Sequence, residues 1–337
     1  MQKEKWPYIQ ISKNDVEQKE IKKEIEDCCV AFIDILGFKE MVSSDIDRVI
    51  VALRYIEAFC DSFYRFPARD TDRIVPASSY TSSYDSAYSA NYEDDIEYEM
   101  NKPTATMFSD SIVISQPMNE YFDISEFIEF ISKMQYQLLL EGVLIRGGVS
   151  VGKLYHRRGY IFGDGMVSAY NLESTIAQYP RIIISPDIIR KYDDFVMKKF
   201  EADHKQYIRY GKEKIYLPSV NNYEYEYSPY IKTDFDQQYF IDYLQDNLEQ
   251  IKAGESGLID VSIQLLKEFY EGQYSIIVGY ITEGLKSSDS NVHKKYEWLK
   301  KYFNRTIKLC LNTYIGQLDD GVAEKTFFDY WLKLYIE

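Results

Sequence analysis

The chain has 337 residues, 45% of them hydrophobic and 28% charged, with a formal net charge of −15 at pH 7. This composition is typical of a globular protein and argues against wholesale disorder, while the negative charge disfavours binding to nucleic acid or to an anionic membrane. No stretch approaches the ~20 apolar residues of a transmembrane helix, and the N-terminus has no hydrophobic signal region, so we expect a cytoplasmic protein.

The first predicted element is a buried strand over residues 28–36, CCVAFIDIL, which is rich in β-branched and aromatic side chains. It contains one carboxylate, Asp34, and Gly37 follows it in a predicted turn. From Ser44 onward, apolar residues recur at helical spacing and predict a long amphipathic helix. Residues 70–103 are rich in Ser, Tyr, Asp and Glu without a steady period, which indicates a surface insertion.

A second group of elements follows the insertion. Residues 104–115, TATMFSDSIVIS, predict a hairpin, and a helix capped by Asp123 should follow it and pack on the sheet. Residues 143–162 predict two strands, VLIRGGVSV and GYIF, joined by a basic segment, KLYHRR. A helix over 166–178 and a strand over 181–185 come next. This order predicts an α+β sheet with helices on one face, related to the ferredoxin-like arrangement.

The rest of the chain is predicted to be mostly helical. Three long stretches of mixed apolar and charged residues have helical spacing: 234–254, 258–272 and 292–311. The predicted division is an N-terminal extension (1–27), an α+β domain (28–200, with the insertion 70–103) and a mostly helical accessory region (201–337).

Two aspartates, Asp34 and Asp110, suggest chemistry. Each interrupts an otherwise apolar strand or hairpin, and burying a carboxylate is costly unless a cation or hydrogen bonds compensate it. Aspartates on neighbouring strands can share divalent cations, and Mg²⁺ binds a few carboxylates together with phosphate oxygens. The alternative is that Asp34 ends a strand and Asp110 forms a turn, as aspartates often do.

The glycines of the next strand predict packing. Gly147, Gly148 and Gly152 do not form a G-x-G-x-x-G pattern, and they lie in a strand rather than before a helix. A dinucleotide-binding fold is therefore disfavoured, and close backbone packing is the simpler use.

Three segments in order resemble class III nucleotide cyclases. FIDILGFKEMV is similar to their first strand and turn, in which a metal-binding aspartate precedes a Gly-Phe pair. FSDSIVIS resembles the hairpin with the second metal-binding aspartate, and RGGVSVGKLYHRRGYIFGDGMVSAYNLE resembles their strand, wing, Phe-Gly turn and helix ending in Leu-Glu. The resemblance covers about residues 28–185. It implies an α+β, ferredoxin-like cyclase catalytic domain followed by a C-terminal helical extension.

The chain departs from this family at the positions that recognise the base and at those that stabilise the transition state. Thr106 stands where purine-selective cyclases have a base-reading lysine, and Tyr160 stands where they have the partner aspartate. Val167 and Asn171 stand at the positions of the transition-state asparagine and arginine. The chain looks most like the pyrimidine cyclases of bacterial Pycsar antiphage defence, which make cyclic UMP or cyclic CMP. That product activates a partner effector protein.

The resemblance implies a specific site. Asp34, Asp110 and the backbone carbonyl of Ile35 would bind two Mg²⁺ or Mn²⁺ ions, which activate the ribose 3′-hydroxyl of UTP or CTP and hold its triphosphate. Backbone N–H groups of the turn at Gly37 and Phe38 would face phosphate oxygens.

Basic residues are needed as well, because phosphoryl transfer is stabilised largely by electrostatic positioning. The nearest candidates are Arg146, Lys153, Arg157 and Arg158. Arg146 interrupts an apolar strand, where a guanidinium requires a partner, and its alternative use is an internal salt bridge. Lys153 and its basic neighbours also fit a solvated hairpin tip.

Class III cyclase sites lie between two subunits, so the resemblance implies a head-to-tail homodimer. Its candidate contact is the apolar face of the helix that begins near Met166. Three alternatives remain open: a catalytically inactive cyclase-like domain that senses a nucleotide, a purine nucleotide cyclase, and a palm-like polymerase. A Gly-Gly-Asp-Asp hairpin would favour the polymerase, and this chain has Phe-Ser-Asp-Ser instead.

Overall fold

The described part of the chain forms an α+β fold with a mixed sheet. The computed structural model describes residues 24–62, 103–119, 122–157, 159–190, 230–244, 259–315 and 336. The predicted insertion 70–103 lies outside these ranges except for its last residue. The predicted extension 1–27 lies outside them except for its last four residues.

Eight strands and six helices have both ends within these ranges, and a further helical segment covers residues 186–190. The strands are β1 (Glu26–Ile35), β2 (Thr104–Phe108), β3 (Ser111–Pro117), β4 (Ile145–Arg157), β5 (Tyr160–Phe162), β6 (Ile182–Ile184), β7 (Ile231–Thr233) and β8 (Tyr239–Ile241). The helices are α1 (Phe38–Ser44), α2 (Ile46–Ser62), α3 (Ile124–Leu140), α4 (Asp164–Thr175), α5 (Ile259–Gly284) and α6 (Ser290–Ile315). In the part of the chain that the structure describes, every helix is too short or too polar to cross a membrane.

Strand β1 lies inside the sheet, whose order is β2-β3-β1-β4-β6-β8-β7, with β5 paired to β4. β1 is antiparallel to β3 on one side and to β4 on the other, whereas β4 and β6 are parallel. In this register Asp34 lies opposite Ser111 of β3 and opposite Arg146 of β4. The pairing therefore brings three polar residues together at the end of an apolar strand.

Both faces of β1 are covered. Successive side chains of a strand point to opposite faces, and Ala31 and Ile33 pack with α2 and α3 in the main core. Val30 and Phe32 pack on the other face, where Ala169 of α4 joins them. The expectation of helices on one face is therefore wrong. A strand with a continuous apolar run, such as residues 28–33 of β1, needs cover on both sides.

The glycines of β4 allow α4 to lie close to the sheet. A Cβ atom added to Gly148 would be 2.4 Å from the carbonyl oxygen of Ala169, and one added to Gly152 would be 2.6 Å from Oδ1 of Asp164. Any larger side chain would push α4 away. The prediction that these glycines serve close backbone packing is confirmed.

Strand β4 continues through the segment that was predicted to connect two strands. Leu154 is buried with Val30 and Val113 on the face that α4 covers, and Tyr155 stacks on Phe162 of β5 at 4.9 Å. The β4 side of the β4–β5 hairpin is therefore packed against the sheet, while Tyr160 of β5 is exposed. Arg158 lies outside the described residues.

The C-terminal region adds strands as well as helices. The helical predictions over 258–272 and 292–311 are confirmed by α5 and α6, but the one over 234–254 is wrong where the structure describes it. There β8 pairs with β7 and, through Phe240, with Ile183 of β6. Tertiary pairing of a short buried strand outweighs the local helical pattern here.

A second core joins the C-terminal helices to the sheet. It contains Trp298, Leu299 and Tyr302 of α6, with Ile183 of β6. Leu36, which directly follows β1, packs against the same cluster. Helix α6 is therefore held near the end of β1, where Asp34 lies.

Candidate active site

Asp34 and Asp110 are neighbours at the ends of adjoining strands. Asp110 follows Ser109 in the tight β2–β3 turn, where Ser109 has a φ of 59°. The backbone N–H of Ile35 donates a hydrogen bond to the carbonyl oxygen of Asp110, at 2.9 Å. The structure thus brings the two predicted metal-binding aspartates together, along with the backbone of Ile35.

Arg146 bridges two carboxylates at this end of β1. Its Nε atom donates to Oδ2 of Asp34 at 2.9 Å, and its Nη2 atom is 2.8 Å from Oε1 of Glu173 on α4. Its Nη1 atom also contacts the carbonyl oxygen of Ala177, at 3.4 Å. The internal salt bridge, which was one of the two interpretations of Arg146, is therefore formed in the structure.

Glu173 was not among the predicted site residues. It is buried on α4, on the helix face that Ala169 and Leu172 turn toward β4. A carboxylate among apolar neighbours at helical spacing is the same anomaly that singled out Asp34. That signal was available in the sequence.

Burial and neighbouring carboxylates raise the pKa of two residues of the site, Asp34 and Glu173. Burial is the main cause that raises the pKa of Asp34, the hydrogen bond and charge of Arg146 oppose it, and the charge of Asp110 adds to it. Burial likewise raises the pKa of Glu173, against the opposing charge of Arg146. Arg146 pairs with two of the three carboxylates and leaves Asp110 without an ion pair among the described residues, so a further cation would be stabilised here.

Lys295 of α6 also reaches this site. It interacts electrostatically with both Asp34 and Arg146, and burial followed by the charge of Arg146 lowers its pKa. No local pattern in the sequence indicated this residue, because its position depends on how α6 packs. Together these side chains form the β1-end cluster: Asp34, Asp110, Arg146, Glu173 and Lys295.

The aspartate pair fits a divalent cation that binds together with a phosphate. No group of three or more His, Cys, Asp or Glu side chains that could hold a metal ion occurs among the described residues. Mg²⁺ often uses only one or two carboxylates and takes its other ligands from water and substrate phosphates. Asp34 and Asp110 supply such carboxylates, although Arg146 occupies Oδ2 of Asp34.

The predicted phosphate-binding turn has the backbone that it requires. Gly37 has a φ of 75°, and a Cβ atom there would meet nothing within 4 Å, so conformation rather than space favours glycine. Leu36 donates its N–H to the carbonyl oxygen of Leu144 at 2.9 Å. Within the described ranges, the N–H groups of Gly37 and Phe38 have no backbone acceptor.

Thr106 belongs to a buried hydrogen-bonded chain. His156 Nε2 is 2.9 Å from Thr106 Oγ1, and His156 Nδ1 is 2.7 Å from Ser115 Oγ. Burial lowers the pKa of His156 to about 4, so its ring is neutral at pH 7. Among the described residues, the buried Ser115 hydroxyl has no other partner. It therefore donates to Nδ1, His156 donates from Nε2, and the Thr106 proton remains available to a ligand.

The other predicted nucleotide-binding residues lie farther from the aspartates. Tyr160 is exposed on β5. Lys153 is exposed, pairs with Asp27 at 2.7 Å, and lies seven residues along β4 from Arg146, roughly 23 Å of extended strand. Within one chain, the structure does not bring Lys153 to Asp34.

Comparisons with known proteins do not identify a family for this chain. No protein-family model matches the chain, and no curated protein matches its sequence. The β1-end cluster and the resemblance of the three segments are therefore what supports a function.

Proposed function

We propose that the protein is a pyrimidine nucleotide cyclase, which converts UTP or CTP to the 3′,5′-cyclic monophosphate and pyrophosphate. The observation that carries the proposal is the backbone hydrogen bond from Ile35 to Asp110, because Ile35 directly follows Asp34 and the two partly buried aspartates therefore lie at one end of the sheet. The antiparallel order β2-β3-β1-β4, with helices between its strands, is that of a split β-α-β-β-α-β unit. It supports the expected ferredoxin-like cyclase domain.

Asp34 and Asp110, with the carbonyl of Ile35, would hold two Mg²⁺ or Mn²⁺ ions. When bound, such ions favour loss of the 3′-hydroxyl proton and neutralise the triphosphate. The 3′-oxygen then bonds to the α-phosphorus while the bond to pyrophosphate breaks, and the hydroxyl proton is released. Arg146 favours the ionised form of Asp34 and can offer its guanidinium to a phosphate oxygen.

The polarity of Thr106 favours uracil over cytosine. The chain from Ser115 through His156 leaves Thr106 with a hydroxyl proton to donate. The free hydroxyl proton fits the O4 carbonyl of uracil, whereas the amino group of cytosine could use only the second lone pair of Thr106 Oγ1 and would leave that proton unused. Thr106, with Tyr160, is therefore the proposed base-binding pair, and UTP is the preferred substrate.

A homodimer is part of the proposal. Five exposed apolar side chains lie on β2, β5 and α4: Phe108, Tyr160, Phe162, Val167 and Tyr170. Apolar surface of this kind supports an interface. In a head-to-tail dimer, Lys153 and Tyr160 of one protomer would serve the aspartates of the other. The cyclic nucleotide would then activate an effector protein in antiphage defence, in the cytoplasm.

A second candidate is a nucleotide sensor without turnover. The Arg146 hydrogen bond already occupies Oδ2 of Asp34, and Val167 and Asn171 replace the expected transition-state pair. A domain of this kind would bind a triphosphate and leave it intact.

The test incubates purified protein with ATP, GTP, CTP or UTP plus Mg²⁺ or Mn²⁺ and identifies products by mass spectrometry. We expect cyclic UMP, and Asp34→Asn and Asp110→Asn should each lower its formation at least about 100-fold. Asp47→Asn, at an exposed position on α2, is the matched control and should keep full activity.

Each other outcome selects a different function. UTP binding without product would favour the sensor, and a cyclic purine would make the protein a purine cyclase. If no triphosphate bound or reacted, the cyclase proposal would be wrong.

A further inference from the structure

Lys295 connects the C-terminal region to the β1-end cluster. It lies on α6, outside the segments that resemble cyclases, and no function was expected for it. Its charge interacts with those of Asp34 and Arg146, and also with Glu40 of α1 and Asp289 before α6. The charges that act on Lys295 therefore belong to β1, β4, α1 and the residue before α6.

The position of Lys295 is determined by the packing of α6. The Asp289 carboxylate accepts the N–H groups of Asn291 and Val292, at 2.7 and 3.2 Å, and caps the helix. Lys295 precedes Trp298 by three residues and Leu299 by four, so it lies on the same face as these two buried side chains. That face packs in the second core, which Leu36 also contacts.

Among the described residues, Lys295 has no ion-pair partner within 4 Å and no hydrogen-bond partner. Asp34 is one of the carboxylates that interact electrostatically with Lys295, and it accepts a hydrogen bond from Arg146 at 2.9 Å. Lys295 is only partly exposed, and burial lowers its pKa. A partly buried ammonium without a partner is unfavourable, and an anionic ligand would relieve that cost.

We propose that Lys295 binds the phosphate chain of the nucleoside triphosphate, so that the C-terminal helix α6 completes the active site. The identity of this ligand rests on the proposed function. An anion that enters the β1-end cluster meets three carboxylates, and it needs cations besides the metal ions to bind there. The lysine ammonium is a compact charge that suits a phosphate oxygen.

The test measures binding of UTP, of inorganic tripolyphosphate and of uridine, each with Mg²⁺, by titration calorimetry. Lys295→Met removes the charge and keeps the length of the side chain, whereas Lys295→Arg keeps a cation. Lys294→Met is the matched control, because Lys294 is the exposed neighbour on the same helix. Thermal unfolding of each variant shows whether it is folded.

We expect Lys295→Met to weaken UTP and tripolyphosphate alike, by about tenfold or more, while uridine binding stays unchanged. Lys295→Arg should recover most of that loss, and Lys294→Met should bind as the wild-type protein does. Equal affinity of wild type and Lys295→Met for tripolyphosphate overturns the inference, as does a wild-type protein that binds no tripolyphosphate.

The inference and the proposed function can fail separately. Tripolyphosphate binding that depends on Lys295, in a protein that forms no cyclic nucleotide, would support the phosphate site and refute the cyclase. Cyclic UMP formation with an unchanged KM and kcat in Lys295→Met would support the cyclase and refute the role of Lys295.

Discussion

Two charged clusters lie in this one sheet, and they differ in how completely their charges are paired. The β1-end cluster lies at the end of the central strand. The other, here called the hairpin cluster, joins β6 to the β7–β8 hairpin and has these members: Arg181, Lys232, Asp234, Asp236 and Asp242. Each cluster contains three carboxylates and two cations, so their formal net charges are the same.

In the hairpin cluster every charge has a partner. Arg181 pairs with both Asp234 and Asp236, and Lys232 pairs with Asp242. Neutral donors add to these ion pairs: Trp298 Nε1 donates to Asp234 at 2.8 Å, and the Tyr302 hydroxyl donates to Asp242. The Arg181 side chain is 1% exposed. These are the marks of a structural network.

In the β1-end cluster the pairing is incomplete. Arg146 is 28% exposed, and its partner Asp34 is 18% exposed. Neither Asp110 nor Lys295 has an ion pair within 4 Å in the part of the chain that the structure describes. Net charge does not separate a structural cluster from a ligand site, whereas unpaired charges of both signs indicate a place for a cation and an anion.

The largest expected effect separates the two arginines. Arg181→Met leaves two carboxylates beside a dry core and should lower the free energy of unfolding by about 3–5 kcal/mol. Arg146→Met should cost less, about 2 kcal/mol, because water can reach Asp34 and hydrate it, although the buried Glu173 also loses its partner. Denaturant unfolding of both variants measures the difference.

The control is Arg190→Met. Arg190 pairs with Asp187 on the surface and is 77% exposed, so its loss should change stability by less than about 0.5 kcal/mol. If Arg146→Met cost as much as Arg181→Met, the β1-end cluster would be a structural network too.

The contrast also explains what the sequence could predict. Strand β1, the β2–β3 hairpin and helices α2 and α3 follow from strong local patterns. The adjacency of Asp34 and Asp110 follows from them, because a hairpin that pairs with β1 brings its turn to the end of that strand. Local sequence patterns were sufficient to predict elements whose own residues determine their conformation, and the contact between two such elements.

The residues that were missed depend on distant contacts. β8 is only three residues long, and its strand conformation depends on pairing with β6 and on the turn that Arg181 holds. His156 was expected near a solvated hairpin tip but is buried, because β4 curls over the sheet. Lys295 enters the site through the packing of α6, which no periodicity in the sequence reveals.

His156 offers a second test, since it lies on β4 with Arg146 but has partners on both ring nitrogens. Its folded-state pKa of about 4 lies below the ordinary value of 6.5. The unfolded chain therefore binds the proton first, and stability present above pH 6.5 is lost as pH falls toward 4. The loss from this residue should be about 3 kcal/mol.

The measurement compares the free energy of unfolding at pH 7 and at pH 4 in wild type and in His156→Gln. The variant should lose less stability on acidification, by about that amount. Equal losses in wild type and His156→Gln would mean that His156 is not buried as a neutral ring.

The smallest expected effect is that Asp34 and Asp236 contribute to folding stability with opposite dependence on pH. Burial raises the pKa of Asp34, so its contribution to stability is present below the unfolded value of 3.8 and is lost as pH rises through the folded pKa. The hydrogen bond from Arg181 lowers the pKa of Asp236, so its contribution is present above 3.8 and is lost as pH falls through the folded pKa.

At pH 7, Asp34→Asn should therefore leave stability unchanged or raise it by up to about 1 kcal/mol, while it abolishes turnover. Asp236→Asn should lower stability by about 1 kcal/mol and leave turnover intact, because it weakens one bond of a complete network. The free energy of unfolding and the rate of product formation, measured on both variants, test the expected stability and the expected turnover. A destabilised Asp34→Asn that kept its activity would reverse the assignment of the clusters, since ligand sites give up stability to keep charges unpaired and structural networks do not.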